Sequence, residues 1–184
     1  SETKISEGIV SISSVAVELA QKILGRLDNR MALIIGAGEM SKLTARHLVS
    51  AGIKKIFFAN RTWERAEEMA SMFNGTALQL KDWSSVLVQC DIVIASTGSP
   101  HYISESHHVQ QIMATRKNDP IFIIDIAAPR DVHPDVGNLY NVYLYSIDDL
   151  SMVVDKNTEK RKDQIDKARK ILSEEENKFF EWYN

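Results

Sequence analysis

A chain of 184 residues, 44% hydrophobic and 26% charged, fits one ordinary domain with an appendage and can bury a core without disulfides or metals. Its formal net charge of −3 argues against binding nucleic acid through a broadly basic face; its single cysteine, Cys90, excludes an internal disulfide and fits a reducing, cytoplasmic compartment. No apolar run approaches the ~20 residues of a membrane helix, and nothing after Ser1-Glu2-Thr3-Lys4 has a signal-peptide layout.

The first residue is Ser1 rather than Met, so a piece of a longer protein is expected. Residues 8–12 (Gly-Ile-Val-Ser-Ile) read as extended. Ser13 or Ser14 then caps a helix with Val15, Leu19, Ile23 and Leu27 on one face, ended by Gly25 and Asp28-Asn29. Met31 to Ile35 is an apolar run of strand length, broken by Gly36-Ala37-Gly38. Glu39 to Ala51 reads as a helix closed by Gly52. Lys55 to Ala59 is a second strand, Trp63 to Phe73 a helix, Asn74-Gly75 a turn and Thr76 to Leu80 a third strand. Ser84 to Gln89 is a short helix, Asp91 to Ala95 a fourth strand and Ser104 to Arg116 a helix. Ile121 to Ile124, ending at Asp125, is a fifth strand and Val142 to Tyr145 a sixth.

Strands that are apolar throughout are buried on both faces, as a parallel sheet covered by helices requires. The alternation predicts an α/β, doubly wound parallel sheet with right-handed crossovers, flanked by an N-terminal helix and a long C-terminal helix. From Ile147 to Tyr183 there is neither Gly nor Pro, and residues 155–178 are dense in charge. Leu150, Val153, Val154, Ile165, Ala168, Leu172, Phe179 and Trp182 recur there at helical spacing. One helix would span ~50 Å at 1.5 Å per residue, too long for a narrow apolar seam to pack on one domain; it is expected to project or to meet another chain or domain.

The informative stretch is Leu33-Ile34-Ile35-Gly36-Ala37-Gly38-Glu39-Met40-Ser41, a strand running into glycines with a helix opening at once. Gly36 allows the tight turn, and Gly38 removes the side chain that would block a pyrophosphate. The helix from Glu39 points free N–H groups and its positive dipole end at phosphates. The third motif position is normally Gly or Ala; here it is Ser41, small but a departure. After the second strand comes Asn60-Arg61-Thr62, where an NAD site expects Asp or Glu on the ribose 2′-hydroxyl. Arg61 instead offers a cationic fork, Asn60 and Thr62 neutral hydrogen bonds, and Arg65 a second cation one turn on, so NADPH is expected over NADH. Ser96, Thr97 and Gly98, after the fourth strand, are placed to meet the ribose. Ile126 and Ala127, after the fifth, lie near the expected nicotinamide position. Each of these loop residues, taken alone, reads equally as an ordinary turn.

Taken together, Gly36-Ala37-Gly38-Glu39-Met40, Ala59-Asn60-Arg61-Thr62, Ser96-Thr97-Gly98 and Asp125-Ile126-Ala127-Ala128-Pro129-Arg130-Asp131 resemble glutamyl-tRNA reductases in order and spacing. The segment Val10 to Ala20 is similar to that family's passage into its NADPH domain, and Tyr143 to Leu150 to the start of its spinal helix. The resemblance implies a linker and N-terminal helix at 1–29, an NADPH-binding Rossmann domain at 30–147 and a long charged spinal helix at 148–184. It also implies reduction of glutamyl-tRNA(Glu) to glutamate-1-semialdehyde in tetrapyrrole biosynthesis. In that reaction a cysteine of a separate catalytic domain takes the glutamyl group as a thioester, and NADPH supplies the hydride. The catalytic domain and the C-terminal dimerisation domain, which makes the complete enzyme a homodimer, are not in this sequence. The chain alone is therefore expected to bind NADPH but to carry no catalytic residue.

Cys90, beside Asp91, matches no nucleophile motif and reads as a core-edge residue. His101, His107 and His108 lack ligand partners at metal spacing and read as surface residues, the last two pointing different ways on a helix. Two other readings stand beside the resemblance: a shikimate-dehydrogenase-like NADP domain, and a non-catalytic NADP-binding sensor or scaffold.

Overall fold

The computed structural model describes the backbone of residues 2–183 and the side chains of residues 7–174. Helices α1 (Glu2–Leu24), α2 (Glu39–Ser50), α3 (Trp63–Met72), α4 (Trp83–Leu87), α5 (Ser106–Thr115) and α6 (Ile147–Tyr183) alternate with strands β1 (Met31–Ile35), β2 (Lys55–Asn60), β3 (Thr76–Gln79), β4 (Ile92–Ala95), β5 (Ile121–Asp125) and β6 (Val142–Ser146). All the strands pair in parallel, in the order β3-β2-β1-β4-β5-β6. This is the expected doubly wound sheet. The chain order reverses between β1 and β4, where a crevice opens at the carboxyl ends of the strands.

Strand burial explains the legible pattern. Every residue of β4 and β5 is buried, and β1 and β2 are buried except at their ends. Leu33, Ile35, Phe57, Val93, Ile121 and Ile123 face Val86 and Leu87 of α4 and Val109 and Met113 of α5. The alternate residues, Ala32, Ile34, Ile56, Phe58, Ile92 and Ile94, are as deeply buried on the other face. There α2 contacts β1, α3 contacts β2 and β3, and α1 lies along α2. At ~25 cal/mol per Å² of apolar surface, this two-sided burial is the main drive for the fold.

The N-terminal expectation is corrected. Residues 8–12 are not extended: α1 runs unbroken from Glu2, and neither Ser13 nor Ser14 is its cap. Their Ile, Val and Ser content favours strand or turn locally, but a buried stripe at Ser13, Ala16, Val17, Ala20 and Leu24 has helical spacing and decides the outcome. The expected face is rotated: Val15 and Leu27 are buried, whereas Leu19 and Ile23 are half-buried. Residues 80–82, before α4, form a 3₁₀ turn, so Leu80 leaves the strand; residues 134–138 form another.

Arg116, at the end of α5, is a buried cation with many acceptors. Its Nη1 donates to the carbonyls of Leu87 (3.1 Å), Val88 (2.8 Å) and Cys90 (2.6 Å), and its Nη2 to Pro120 (3.1 Å). It thereby closes the C-terminal end of α4 and holds the turn into β4. Asp91, 3.8 Å from Arg116 Nη2, is shared with Arg30, whose Nη1 donates to it at 3.3 Å.

The chain divides into two compact units, residues 1–150 and 151–184. The first turn of α6 belongs to the first unit and is capped reciprocally: Ser146 N–H donates to Asp149 Oδ2 (2.8 Å), and Asp149 N–H to Ser146 Oγ (3.3 Å). Within the second unit the helix continues to Tyr183, and Ile165, Ile171 and Leu172 are exposed. The side chains of Phe179 and Trp182 lie outside the described residues.

Candidate functional site

A cleft of about 350 Å³ lies at the strand-order reversal. It is lined by Gly36, Ala37 and Gly38 after β1, by Asn60, Arg61, Thr62 and Arg65 after β2, by Leu80 after β3, and by Ser96 to Ser99 after β4. The two motif glycines differ in what they do. Gly36 has φ +110°, its N–H donates to Ala59 O at 2.9 Å, and a Cβ there would stand 2.2 Å from the Ser96 carbonyl oxygen. That glycine is required by the close pass of the two strand exits. Gly38 has φ −81° and ψ −179°, open to any residue, and a Cβ would meet nothing within 4 Å. Nothing among the described residues explains its missing side chain, and the same holds for Gly98 across the cleft. Both leave room for a group from outside.

Gly38 is also the N-cap of α2, with no side chain to satisfy the first N–H groups of the helix. Those free donors and the helix dipole favour an anion at this end. On the β2 side, Arg61 and Arg65 are exposed, and among the described residues neither meets a carboxylate. Among the described residues no acidic side chain lines the cleft. Asn60 Nδ2 donates to Thr62 O at 3.1 Å and so shapes the turn that presents Arg61. The cleft therefore combines the open N-terminus of α2 at its centre with a cationic patch at its β2 end.

Other expected site residues stand outside the walls. Glu39 is exposed, with Lys42 Nζ 3.7 Å from its carboxylate, and Met40 is half-buried. Ser41 is completely buried in α2, its hydroxyl without a partner; its small size lets the helix pack closely. Ile126 and Ala127 are buried, and their N–H groups are taken by Ala95 O and Asp125 Oδ1. Leu80 and Ser99 line the cleft without having been singled out. Leu80, expected at the end of the third strand, turns instead into the 3₁₀ segment that faces the cleft, and Ser99 differs from Ser96 only in position.

The connection after β4 continues into a second cavity, about 590 Å³, lined by Pro100, His101, Tyr102, Glu105, Pro129 and Arg130. Cys90 is fully buried, and burial with the neighbouring Asp91 charge pushes its thiol up to about 12, so it is a packing residue. The rings of His107 and His108 lie 4.0 Å apart rather than diverging. Among the described residues no three His, Cys, Asp or Glu side chains stand close enough to hold a metal. No described helix is long and apolar enough to cross a membrane.

Residues 18–153 match the family model described as shikimate / quinate 5-dehydrogenase. The glutamyl-tRNA reductase of Thermodesulfovibrio yellowstonii is 48% identical over 183 residues, covering 100% of this chain and 43% of that protein. Among solved structures, glutamyl-tRNA reductase from Methanopyrus kandleri superposes with a TM-score of 0.81 at 40% identity, over 90% of this chain and 42% of that one. The nucleotide binding domain of glutamyl-tRNA reductase from Thermoplasma volcanium shares the fold, with a TM-score of 0.65 at 20% identity over 82% of this chain and 96% of that one. This chain thus spans less than half the length of the curated relatives it matches. The family match ends at residue 153, whereas the likeness to the reductases continues through α6. The chain belongs to the shikimate / quinate 5-dehydrogenase family, and across its whole length it is similar to glutamyl-tRNA reductases.

Proposed function

We propose that this chain is the NADPH-holding domain of an oxidoreductase that reduces glutamyl-tRNA(Glu) to glutamate-1-semialdehyde, at the start of a cytoplasmic tetrapyrrole pathway. One observation carries the reading: a cleft at the strand-order reversal has two glycines whose missing side chains no described residue explains, and two arginines that meet no carboxylate among the described residues, where an acid would select NADH. The Gly36–Gly38 turn and the N-terminus of α2 seat the pyrophosphate. Arg61, with Arg65, takes the ribose 2′-phosphate. Ser96, Thr97 and Gly98 form the wall beside the second ribose, and Ile126 and Ala127 back that end of the cleft from the β5 exit. The bound coenzyme supplies hydride. This chain's residues bind it, orient it and present it to a substrate held by a separate, cysteine-bearing domain. The chain alone binds coenzyme and turns nothing over. The complete protein is a homodimer built through helices beyond α6. A shikimate-dehydrogenase-like role fits less well, because similarity to the reductases extends along α6.

Titration of this chain by intrinsic fluorescence or calorimetry tests the reading. NADPH should bind at least about tenfold tighter than NADH, and Arg61→Glu should erase or invert that ratio, since a charge-assisted phosphate contact is replaced by repulsion. Equal affinities in the unaltered chain refute the coenzyme assignment.

A further inference from the structure

Asp131 is fully buried, yet it lines no part of the cleft. Its carboxylate accepts two hydrogen bonds from Thr97, a residue 34 positions earlier: the N–H donates to Oδ2 at 2.7 Å, and the hydroxyl donates to Oδ1. Thr97 Oγ1 accepts in turn from the Ser99 N–H at 3.2 Å, so a relay runs from Asp131 into the turn that forms the β4 wall. The Asp131 carbonyl accepts from the Ile103 N–H at 2.7 Å, and Ser104 bridges to Val132. The exits of β4 and β5 are thereby tied together on both sides of Asp131.

This arrangement is costly for a fold. A second buried carboxylate, Asp125, accepts from the N–H groups of Ala127 and Val132, with Arg130 Nε 3.6 Å away. Burial pushes the Asp131 pKa up, against the lowering pull of its Thr97 hydrogen bonds, and the Asp125 charge pushes it further. Apolar residues would fill such a position at less cost to stability. What only a carboxylate provides here is a fixed direction for the Thr97 N–H and hydroxyl together.

We propose that Asp131 is a positioning residue for the coenzyme: through Thr97 it fixes the Ser96–Ser99 turn against which the nicotinamide half of the dinucleotide lies. The inference rests on the coenzyme reading above. The strand order separates the two halves of the ligand, with Arg61 and Arg65 at the β2 end of the cleft and the Thr97 turn at the β4 end.

The separation supplies the test. NADPH and adenosine 2′,5′-bisphosphate, which lacks the nicotinamide half, are titrated against the chain and its Asp131→Asn variant. Asparagine keeps the shape and one acceptor oxygen, but its NH2 group cannot accept, so the Thr97 N–H and hydroxyl can no longer both donate to this side chain. NADPH affinity should fall about tenfold while the bisphosphate stays within about twofold, the scale expected for one charge-assisted hydrogen bond acting on one end of a ligand. Thr97→Val should weaken NADPH similarly, Thr97→Ser should retain it, and Asp131→Asn added to Thr97→Val should cost nothing more. Equal losses on both probes, or additive losses, make Asp131 a merely structural residue and overturn the proposal. Should Asp131→Asn fail to fold, equal NADPH affinity in the Val and Ser variants overturns it alone. A wild-type chain that binds neither probe removes the coenzyme reading and this inference with it.

Discussion

Replacing Gly36 or Gly38 by alanine adds the same methyl group at positions two residues apart, with opposite consequences. At Gly36 the backbone sits at φ +110°, which costs a side-chain-bearing residue on the order of 1–3 kcal/mol. The new Cβ would also stand 2.2 Å from the Ser96 carbonyl oxygen and 2.8 Å from its carbon, so the β1 and β4 exits must part. Losing the fit of two core strands adds at least as much again, for a total of about 3 kcal/mol or more. For a unit of 150 residues that lowers Tm by roughly 6–12 °C. At Gly38 the backbone is already extended and the methyl meets nothing. Reduced freedom of the unfolded chain stabilises by about 0.4–1 kcal/mol, and the poorer helix cap offsets it by a similar amount, so Tm should hardly move. Coenzyme affinity, however, should fall about tenfold or more if the pyrophosphate lies where we propose, because the methyl would occupy that space. Thermal melts and NADPH titrations of both variants separate the effects. A Gly38→Ala variant with undiminished affinity would refute the placement of the pyrophosphate. An unshifted melt for Gly36→Ala would refute the close pass of the strand exits.

Arg116→Met removes a guanidinium that serves the carbonyls of Leu87, Val88, Cys90 and Pro120, leaving buried acceptors and Asp91 with one cation fewer; urea denaturation should show a loss of about 3–5 kcal/mol. A loss under 1 kcal/mol would mean that water replaces the arginine. Cys90, its thiol pushed up to about 12 mainly by burial, folds in its protonated form. Its stability contribution is intact below the ordinary thiol value of 9.0 and declines as pH rises toward 12. Cys90→Ala should therefore lose less Tm than the wild type between about pH 9 and 11, and iodoacetamide at pH 8 should label the wild-type thiol only after unfolding; rapid labelling of the folded chain would contradict its burial.

Much of the fold was legible because its strands are buried from both sides. Met31–Ile35, Ile92–Ala95 and Ile121–Asp125 carry no alternation, and a parallel sheet between helices is where such runs belong. The glycine turn and the Asn60-Arg61-Thr62 turn were legible as chemistry, since both follow strands whose carboxyl ends must face one edge. The N-terminus was not. Ile9, Val10 and Ile12 have strand-like local preferences, yet α1 runs through them, carried by the buried stripe further along the helix at Ser13, Ala16, Val17, Ala20 and Leu24. Local sequence does not show a partner 34 residues away, and the motif around Asp131 gives no sign that Thr97 stands beside it. Arg116 was likewise one charge at the end of a helix, and its burial depends on two separate backbone segments, residues 87–90 and 119–120.

Strand β1 sits between β2, its neighbour in sequence, and β4, which arrives about sixty residues later. The glycine turn after β1 and the Ser96–Ser99 wall therefore meet only when that long loop closes, the slowest kind of event in assembling a sheet. A nascent chain that has formed β1 to β3 already owns its glycine turn and both arginines, but only half a crevice. Coenzyme is thus expected to hold the finished unit far more tightly than any early intermediate. In a cell, its supply would set how much of this domain survives quality control, with stability rising by RT ln(1 + [L]/Kd).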